Sequence, residues 1–384
     1  MGFMGYRRPD GSVGVRNHVL VMSSVSCANG VVNAIGREVP EVKAVTHTEG
    51  CGRAPVDVGI SMRTLVGLGK NPNVAALLVI GLGCEFIKAP SVATAVAATG
   101  KPVEQLVIQE RGGSQKTTRE GIEITKKLLA HVAAQKRVEC GWDKLIVGLE
   151  CGGSDAMSGV TANPVVGATA DWLVGQGGSV ILSETTEMAG TAQILARRAC
   201  SMKVGEKVST LIISHEKKVH DLLGPFAAVA ISPGNMDGGL TTIREKSLGC
   251  IIKGGTTPIT EVIEYAAAPT RKGLIIMDTP GSDIFSMTGE AAAGCQAIIF
   301  TTGRGTPVGF PILPVIKVAT NRKLFETMND DMDLNAGQVI EGASIRSVSE
   351  ELNGLLARVV NGEKSKAEIN RQDVLSIYTV GPAF

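Results

Sequence analysis

Cys51, Cys84 and Cys151 are the residues whose type and placement point most directly to chemistry; they lie in HTEGCG, GLGCE and LECGG. Each follows a short apolar run that reads as a buried strand. Each also has a glycine beside it, which lets another group approach the backbone closely. Parallel strands bring such loops to one edge of a sheet, and three thiolates gathered there are a soft ligand set suited to iron or an iron–sulfur cluster. His47, four residues before Cys51, offers an imidazole, and Cys27 in SVSCAN is a weaker fourth thiol. Taken singly, spacing favours an inert buried thiol for each cysteine. No CxxC pair occurs, so zinc-ribbon spacing is absent, and Cys140, Cys200, Cys250 and Cys295 lie in helix- or strand-like settings that read as structural.

A second group of polar residues surrounds glycine-rich turns. GLECGGSD followed by SGVTANP supplies Ser154, Asp155, Ser158, Thr161 and Asn163 ahead of a helix beginning near Pro164. Backbone N–H groups at such a helix start hold anions. The string is not a phosphate loop of the Walker type, and GLGCE is not a dinucleotide fingerprint. SPGNMDGGLTTIREKSLGCIIKGGTTP carries Asn235, Thr241, Thr242, Lys246, Lys253, Thr256 and Thr257, which suit carboxylate and hydroxyl oxygens. Arg304 sits between two glycines in TTGRGTPVG, a setting for a bidentate carboxylate or sulfonate clamp. The competing reading for each lysine and arginine is a solvated surface charge. His131, His215 and His220 read as surface residues of polar helices.

The elements that must position these groups alternate. Val19–Met22, Val42–Val45, Ala76–Ile80, Leu106–Ile108, Leu145–Val147, Val180–Leu182, Leu274–Met277 and Ala297–Phe300 read as buried strands. Helical patterns lie between them at Gly30–Arg37, Ala89–Thr99, Thr118–Gln135, Pro164–Gly175 and Glu261–Ala267. This predicts an α/β fold of mostly parallel sheets flanked by helices, with the site at the carboxyl ends of the strands. A boundary near Leu223–Pro233 predicts two α/β domains, 1–225 with the cysteine loops and 226–384 with substrate-binding loops. Six strand-end loops (THTEGCGR, GLGCE, GLECGGSD, SETTE, DTPGSD and TTGRGTP) together imply one large polar site.

Composition narrows the classes. The chain of 384 residues has 38 Lys+Arg against 37 Asp+Glu and 3% aromatics, which argues against a nucleic-acid surface. The 47 glycines show no collagen-like period and belong to turns and ligand loops. No apolar run reaches bilayer-spanning length and the first residues lack a signal-peptide core, so a cytoplasmic protein without a disulfide framework is expected.

Taken together, these strings resemble the altronate/galactarate dehydratase family, specifically its large catalytic part. GYRRPDGSVGVRNH, HTEGCG, GLGCE, GLECGGSDAMSGVTANP, SETTE, SPGNMDGGLTTIREKSLG, KGGTTP, MDTPG and FTTGRGTPVG carry the resemblance in collinear order across nearly the whole chain. It implies removal of water from a 2,3-dihydroxy sugar acid to give a 2-keto-3-deoxy acid. Fe²⁺, or alternatively an iron–sulfur cluster, would sit at Cys51, Cys84 and Cys151. His47 and Lys253 are the implied bases, with Glu187 in reserve, while Arg304 and the Ser154/Asp155 loop orient the substrate. Full-length members begin with a small antifreeze-like (SAF-like) domain; this chain starts at GYRRP, so a separate small subunit is expected as partner, with a homodimer as a further expectation. Within the family pattern, HTEGCG and the cysteine of GLGCE side with the sugar-acid dehydratases over the large subunit of sulfolactate sulfo-lyase, which stays as the alternative. Ala192–Gln193 stands where the family shows Glu-His, which keeps open a non-catalytic acid-binding homologue.

Overall fold

The computed structural model describes residues 2–229 and 231–384. Strands β1 (Phe3–Arg7), β2 (Val13–Gly14) and β7 (Val138–Cys140) make a small antiparallel sheet in the order β2-β1-β7. Next come β3 (His18–Ser23), β4 (Lys43–Val45), β5 (Val74–Gly81) and β6 (Val103–Val107), all parallel, in the order β4-β3-β5-β6. The largest sheet is also parallel. It contains β8 (Ile146–Cys151), β9 (Ser179–Leu182), β10 (Ile259–Ile263), β11 (Gly273–Met277), β12 (Ala297–Thr302), β13 (Val315–Ala319) and β14 (Leu334–Asn335), ordered β10-β11-β9-β8-β12-β13-β14.

The strand sequences explain this layering. Every residue of VAALLVIG in β5 and GLIIM in β11 is buried, as strands covered on both faces require. Helices Asn29–Glu38 and Ser114–Ala133 close one face of the four-stranded sheet through Val31, Val32, Ile35, Leu128 and Val132. Its other face shares one core with the seven-stranded sheet, in which Leu20 and Leu77 join Ile298, Phe300 and Val315. Helices Pro55–Lys70 and Asp283–Ala293 form that seam. They run in the same direction. Asn71 donates to the carbonyls of Ala291 and Cys295 at their C-terminal ends, and the tail spans their starts, setting Tyr378 edge-on against Phe285 and giving the Val380 and Gly381 amides to Asp57. Both sheets therefore turn their carboxyl edges to the same side of the molecule.

Each parallel sheet has a point where successive connections leave in opposite directions, between β3 and β5 in one and between β8 and β12 in the other. Ligand crevices form outside the strand ends at such points. The expected strands are present, and the helices covering them match the predicted patterns closely. The division at 225/226 differs. It falls between β9 and β10 of a single sheet, and β9 pairs directly with β11, so the change of sheet lies earlier, between β6 and β8. Ala230, inside the expected boundary segment, is outside the described residues. Glu261–Ala267 is also not a helix: ITEVI, rich in β-branched residues, pairs as β10 along β11. Among the described residues no helix is long and apolar enough to cross a membrane.

Gly67 marks the closest approach at the seam, where an added Cβ would collide with the Ala292 carbonyl oxygen. Gly67→Ala should cost about 1–3 kcal/mol by forcing the two helices apart. Urea denaturation should show a lowered midpoint, while Gly59→Ala on the same helix, where a Cβ meets open space, should raise it slightly through the better helix propensity of alanine.

Candidate active site

The densest polar cluster lies at the carboxyl end of β8 and β9. β8 ends in Cys151, and the turn after β9 carries Glu184 and Glu187. Glu184 takes left-handed backbone angles, with φ 65°, a conformation that costs a non-glycine residue roughly 1–2 kcal/mol. Thr279 holds it there, its hydroxyl accepting from the Glu184 amide at 2.6 Å and its carbonyl from the Thr185 amide at 3.0 Å. The strained turn aims the Glu184 carboxylate back at the Cys151 amide, 3.0 Å away.

Helix Ile243–Cys250 supplies the opposite wall. Thr242 caps it, accepting from the Glu245 amide at 3.2 Å. Lys246 and Cys250 are four residues apart and Lys253 follows three later, so all three face the same way. Lys253 Nζ donates to Glu184 Oε2 at 2.8 Å, and both side chains are sealed from solvent (0% exposed). Lys246 pairs with Glu187. The Cys151 thiol donates to Glu187 Oε2 at 2.9 Å and lies 3.7 Å from the Cys250 sulfur.

The electrostatics follow from this packing. Burial opposes ionisation of Glu187, but Lys246, Lys253 and hydrogen bonds from Cys151 and Lys246 outweigh it and hold its pKa below the usual value. Glu184 is pushed up to about 7 by burial and by the charge of Glu187, against the pull of Lys253 and Lys246. Burial works against the charge on Lys253, yet the facing sulfurs of Cys151 and Cys250 and the carboxylates of Glu184 and Glu187 raise its pKa well above 10.5. Lys253 is thus a fixed cation and not the base it was expected to be. Lys246 is likewise held charged, the attraction of Glu187 outweighing burial. The Cys250 hydrogen bond and burial push the Cys151 thiol well up, leaving it neutral at pH 7.

Two further carboxyls lie behind. Glu150 and Glu290 are fully buried and both are shifted up, Glu290 to about 8, chiefly by burial. The Ser183 oxygen lies 2.8 Å from Glu150 Oε1 and 2.9 Å from Glu290 Oε1. One hydroxyl has a single proton to donate, so at least one of these carboxyls is protonated and donates in return. The cluster therefore keeps a stored proton beside its charged pairs.

Cys151 Sγ, Cys250 Sγ and one oxygen each of Glu184 and Glu187 lie within 4.8 Å of one another. Glu184 Oε1 is buried without a partner. Two sulfurs and two carboxylates fit a divalent metal of intermediate softness such as iron. Binding would release both thiol protons; the two thiolates, two carboxylates, two lysines and one divalent ion then sum to zero.

Lys246 separates two cavities. One, of about 250 Å³, is lined by Cys151, Ser154, Asp155, Asn163 and Cys250. The other, of about 190 Å³, is lined by Gly152, Glu187, Asn235 and Asp283. Asp283 is partly exposed, and burial and the Glu187 charge raise its pKa to about 6. Ser154 Oγ is buried and unpartnered at the first cavity.

The sequence-predicted residues divide accordingly. Cys151, Glu187, Lys253, Ser154 and Asn235 meet here, with Asn235 donating to the Ser154 carbonyl at 2.9 Å. Asp155 lines the cavity, but its carboxylate is spent on Ser158, Thr320 and Asn321. Thr242 caps the helix, Thr241 binds Glu245, and Thr256 and Thr257 bind Asp171, so these four shape loops instead of facing the cluster. Arg304 is half exposed, its guanidinium 3.8 Å from Asp237, while its amide binds the Gly153 carbonyl. Cys51 and Cys84 are exposed on loops of the four-stranded sheet, and Cys151 pairs with Cys250 in their place. His47 is buried with both nitrogens engaged: Nε2 donates to the Ser23 carbonyl at 2.8 Å and Nδ1 accepts from the Glu49 amide at 3.1 Å. It locks a loop and has no free nitrogen for a base. Gln193 faces solvent on the helix Ala192–Arg197, so the family Glu-His position lies outside the cluster. His215, read as a surface residue, is half-buried against Thr186 at 2.9 Å.

Glu184, Cys250 and Asp283 were missed as site residues, with Glu150 and Glu290 behind them. The Lys246-Cys250-Lys253 spacing marked a shared helical face and was the available signal for Cys250. Nothing local marked Glu290, which arrives from a different helix.

Comparison with known proteins gives a consistent result. Residues 142–383 match the model of the D-galactarate/altronate dehydratase C-terminal domain, and residues 5–133 match that of the D-galactarate dehydratase/altronate hydrolase second domain. Altronate dehydratase of Bacillus subtilis is 34% identical over 99% of this chain and 78% of its own length. Galactarate dehydratase (L-threo-forming) of Escherichia coli is 36% identical over 94% of this chain and 73% of its own. The (2R)-sulfolactate sulfo-lyase subunit beta of Chromohalobacter salexigens is 34% identical over 95% of this chain and 94% of its own.

Two measurements check these assignments. Lys253→Met strips the buried Glu184 of its cation and should cost about 3–5 kcal/mol in urea denaturation, with the Lys253→Met/Glu184→Gln double variant recovering part of it. For His47, burial depresses the folded-state pKa, against a hydrogen bond to Ser23 and the nearby Glu49 charge. Its stabilisation is therefore complete above the unfolded value of about 6.5 and declines as pH falls below it. The denaturation midpoint of the native chain should drop between pH 7.5 and 5.5 by more than that of His47→Gln.

Proposed function

The chain belongs to the D-galactarate/altronate dehydratase family, a family of carbon–oxygen hydro-lyases, and from that premise we propose that it dehydrates a 2,3-dihydroxy sugar acid to a 2-keto-3-deoxy acid. The observation that carries this reading is Lys246, a mostly buried ammonium that lines two small polar cavities, with Asp283 and Glu187 lining one of them. Lys246 binds the substrate carboxylate. Asp283, ionised above pH 6 and reachable from solvent, takes the α-proton. The negative charge that then spreads onto the carboxylate as an enediolate is stabilised by the two lysine cations in a low-dielectric pocket. The C3–oxygen bond breaks as Asp283 passes the proton it has taken to the departing hydroxide, which leaves as water and restores the Asp283 carboxylate, and the enol tautomerises to the ketone without net redox change. Ser154 Oγ and Asn235 hold substrate hydroxyls.

The reading assigns Fe²⁺ to Cys151, Cys250, Glu184 and Glu187, the set whose chemistry fits it. Bound there, the ion supplies Lewis-acid stabilisation of negative oxygens. A small partner subunit belongs to the same reading, supported by the name of the sulfo-lyase relative as a subunit beta. That relative also supports a second reading, expulsion of sulfite from a sulfonated hydroxy acid at the same lysines.

A panel of aldonic, aldaric and sulfonated hydroxy acids, assayed for 2-keto acid and for sulfite, separates the two. Keto acid without sulfite is expected. Asp283→Asn should lower kcat by about 10²–10⁴, as loss of a positioned base does, and Lys246→Met should raise KM as well. Wild-type turnover in both variants would remove these roles.

A further inference from the structure

Thr186 and Ile243 line the cavity that holds Asp283, and the same two residues line a third and larger one of about 600 Å³, which the dehydratase reading does not use. It lies between the helix Met202–Leu223, the turn after β9 and the start of the helix Ile243–Cys250. Val204, Val208 and Ile212 bury one stripe of the first of these helices. His215, Glu216 and Val219 continue that stripe at helical spacing into the cavity wall.

The charges of this cavity are unevenly committed. Glu216 accepts from the Gly190 amide at 2.6 Å, and Lys217 pairs with Asp221 at 2.6 Å. His215 Nε2 lies 2.9 Å from the Thr186 hydroxyl, which accepts from the Gly281 amide at 3.2 Å. Burial holds the His215 imidazole below its ordinary pKa, so it is neutral at pH 7. Arg244 differs: among the described residues its guanidinium has neither an ion pair nor a hydrogen bond. Its stem is nevertheless packed on bare backbone. Cγ, Cδ and Nε lie 3.1, 3.2 and 3.4 Å from the point where a Cβ on Gly190 would stand. Arg244 is thus the permanent charge that the cavity leaves to a ligand. A guanidinium has five donors and no acceptor, and a carboxylate matches it with two parallel bonds.

We propose that Arg244 receives the second carboxylate of an aldaric acid, a sugar acid carboxylated at both ends, and that the third cavity houses the far part of its chain. The proposal rests on the dehydratase reading and narrows its substrate class. Arg244 and Lys246 stand two apart on one helix, and side chains at that spacing point to different sides. Lys246 lines the Asp283 cavity and Arg244 the third, with Ile243 common to both. A chain whose first carboxylate meets Lys246 and whose C2 hydrogen meets Asp283 passes Thr186 and Ile243 and ends at Arg244. An aldonic acid ends there in a primary alcohol. It offers the guanidinium a single neutral acceptor, with no ion pair and no second parallel bond.

The test uses the full chain supplied with Fe²⁺ and two matched pairs, galactarate against galactonate and glucarate against gluconate. The members of each pair share their stereocentres and differ only in the oxidation of C6. Calorimetry on Asp283→Asn reads binding without turnover, and 2-keto acid release by the native chain reads catalysis. In at least one pair the aldarate should bind about 10–100-fold tighter than the aldonate, as charge-assisted hydrogen bonds allow. Adding Arg244→Met should bring the two within about threefold, and Arg244→Lys, which keeps the charge without the fork, should restore part of the preference. Lys217→Met, which removes a charge that Asp221 already holds, should leave the preference in place. An unchanged thermal midpoint confirms the fold of each variant. A preference absent from both pairs, or one that survives Arg244→Met, overturns the proposal. Keto acid from neither pair, with aldarate binding still dependent on Arg244, refutes the dehydratase reading alone. Keto acid formed with equal kcat/KM from both members of each pair refutes the subsite alone.

Discussion

The ion pair between Lys253 and Glu184 is the constraint on which the polar centre depends. Both side chains are fully excluded from water, where an unpaired charge is costly enough that the group would neutralise instead. Lys253 must therefore be met by a carboxylate, and Glu184 reaches it only from a left-handed turn that no other residue of the segment adopts. That turn requires Thr279 from the next strand's loop. The placement of one buried lysine thus dictates the backbone of two other loops and brings β8, β9, β11 and the helix Ile243–Cys250 to one point.

Around this pair the charges are graded by burial. Glu187, sharing two lysines, stays ionised, and Glu184 sits near neutrality. Glu150 and Glu290, further inside, are shifted toward the protonated form, with Ser183 between them. Asp283 lies at the outer wall, where solvent still reaches it. The ionised pairs of Glu187 with Lys246 and of Glu184 with Lys253 thus stand between a solvent-reached carboxyl, Asp283, and the fully buried carboxyls of Glu150 and Glu290.

The two parallel sheets present their carboxyl edges on the same side because the helices Pro55–Lys70 and Asp283–Ala293 lie side by side with a common direction. A glycine contact at Gly67 and the Asn71 side chain fix that direction at one end, and the chain's last residues bind both helix starts at the other. The sheets nevertheless use their edges differently. In the larger one the buried ionisable groups face each other and cavities open beside them. In the smaller one the buried ionisable groups are consumed in joining loops, and the thiols are left outside.

The sequence by itself determined the strands and the class of fold, because strands buried on both faces read as uninterrupted apolar runs such as VAALLVIG and GLIIM. It also determined the family, because long collinear strings of glycine, cysteine and charged residues carry it. It singled out Cys151, Glu187 and Lys253, which the fold brings together in one buried polar cluster. Only the tertiary structure decided which thiol Cys151 meets, since Cys250 arrives on a helix from a distant segment and no spacing rule links the two. It likewise decided that Lys253 is a fixed cation and His47 a loop lock: whether an ionisable group works as a base depends on the partners that surround it, and those come from elsewhere in the chain. The division of the chain was decided there too, because β9 pairs with β11 across the glycine-rich segment that reads as a boundary. Strand pairing joins residues far apart in sequence, and a local change in composition carries no information about it.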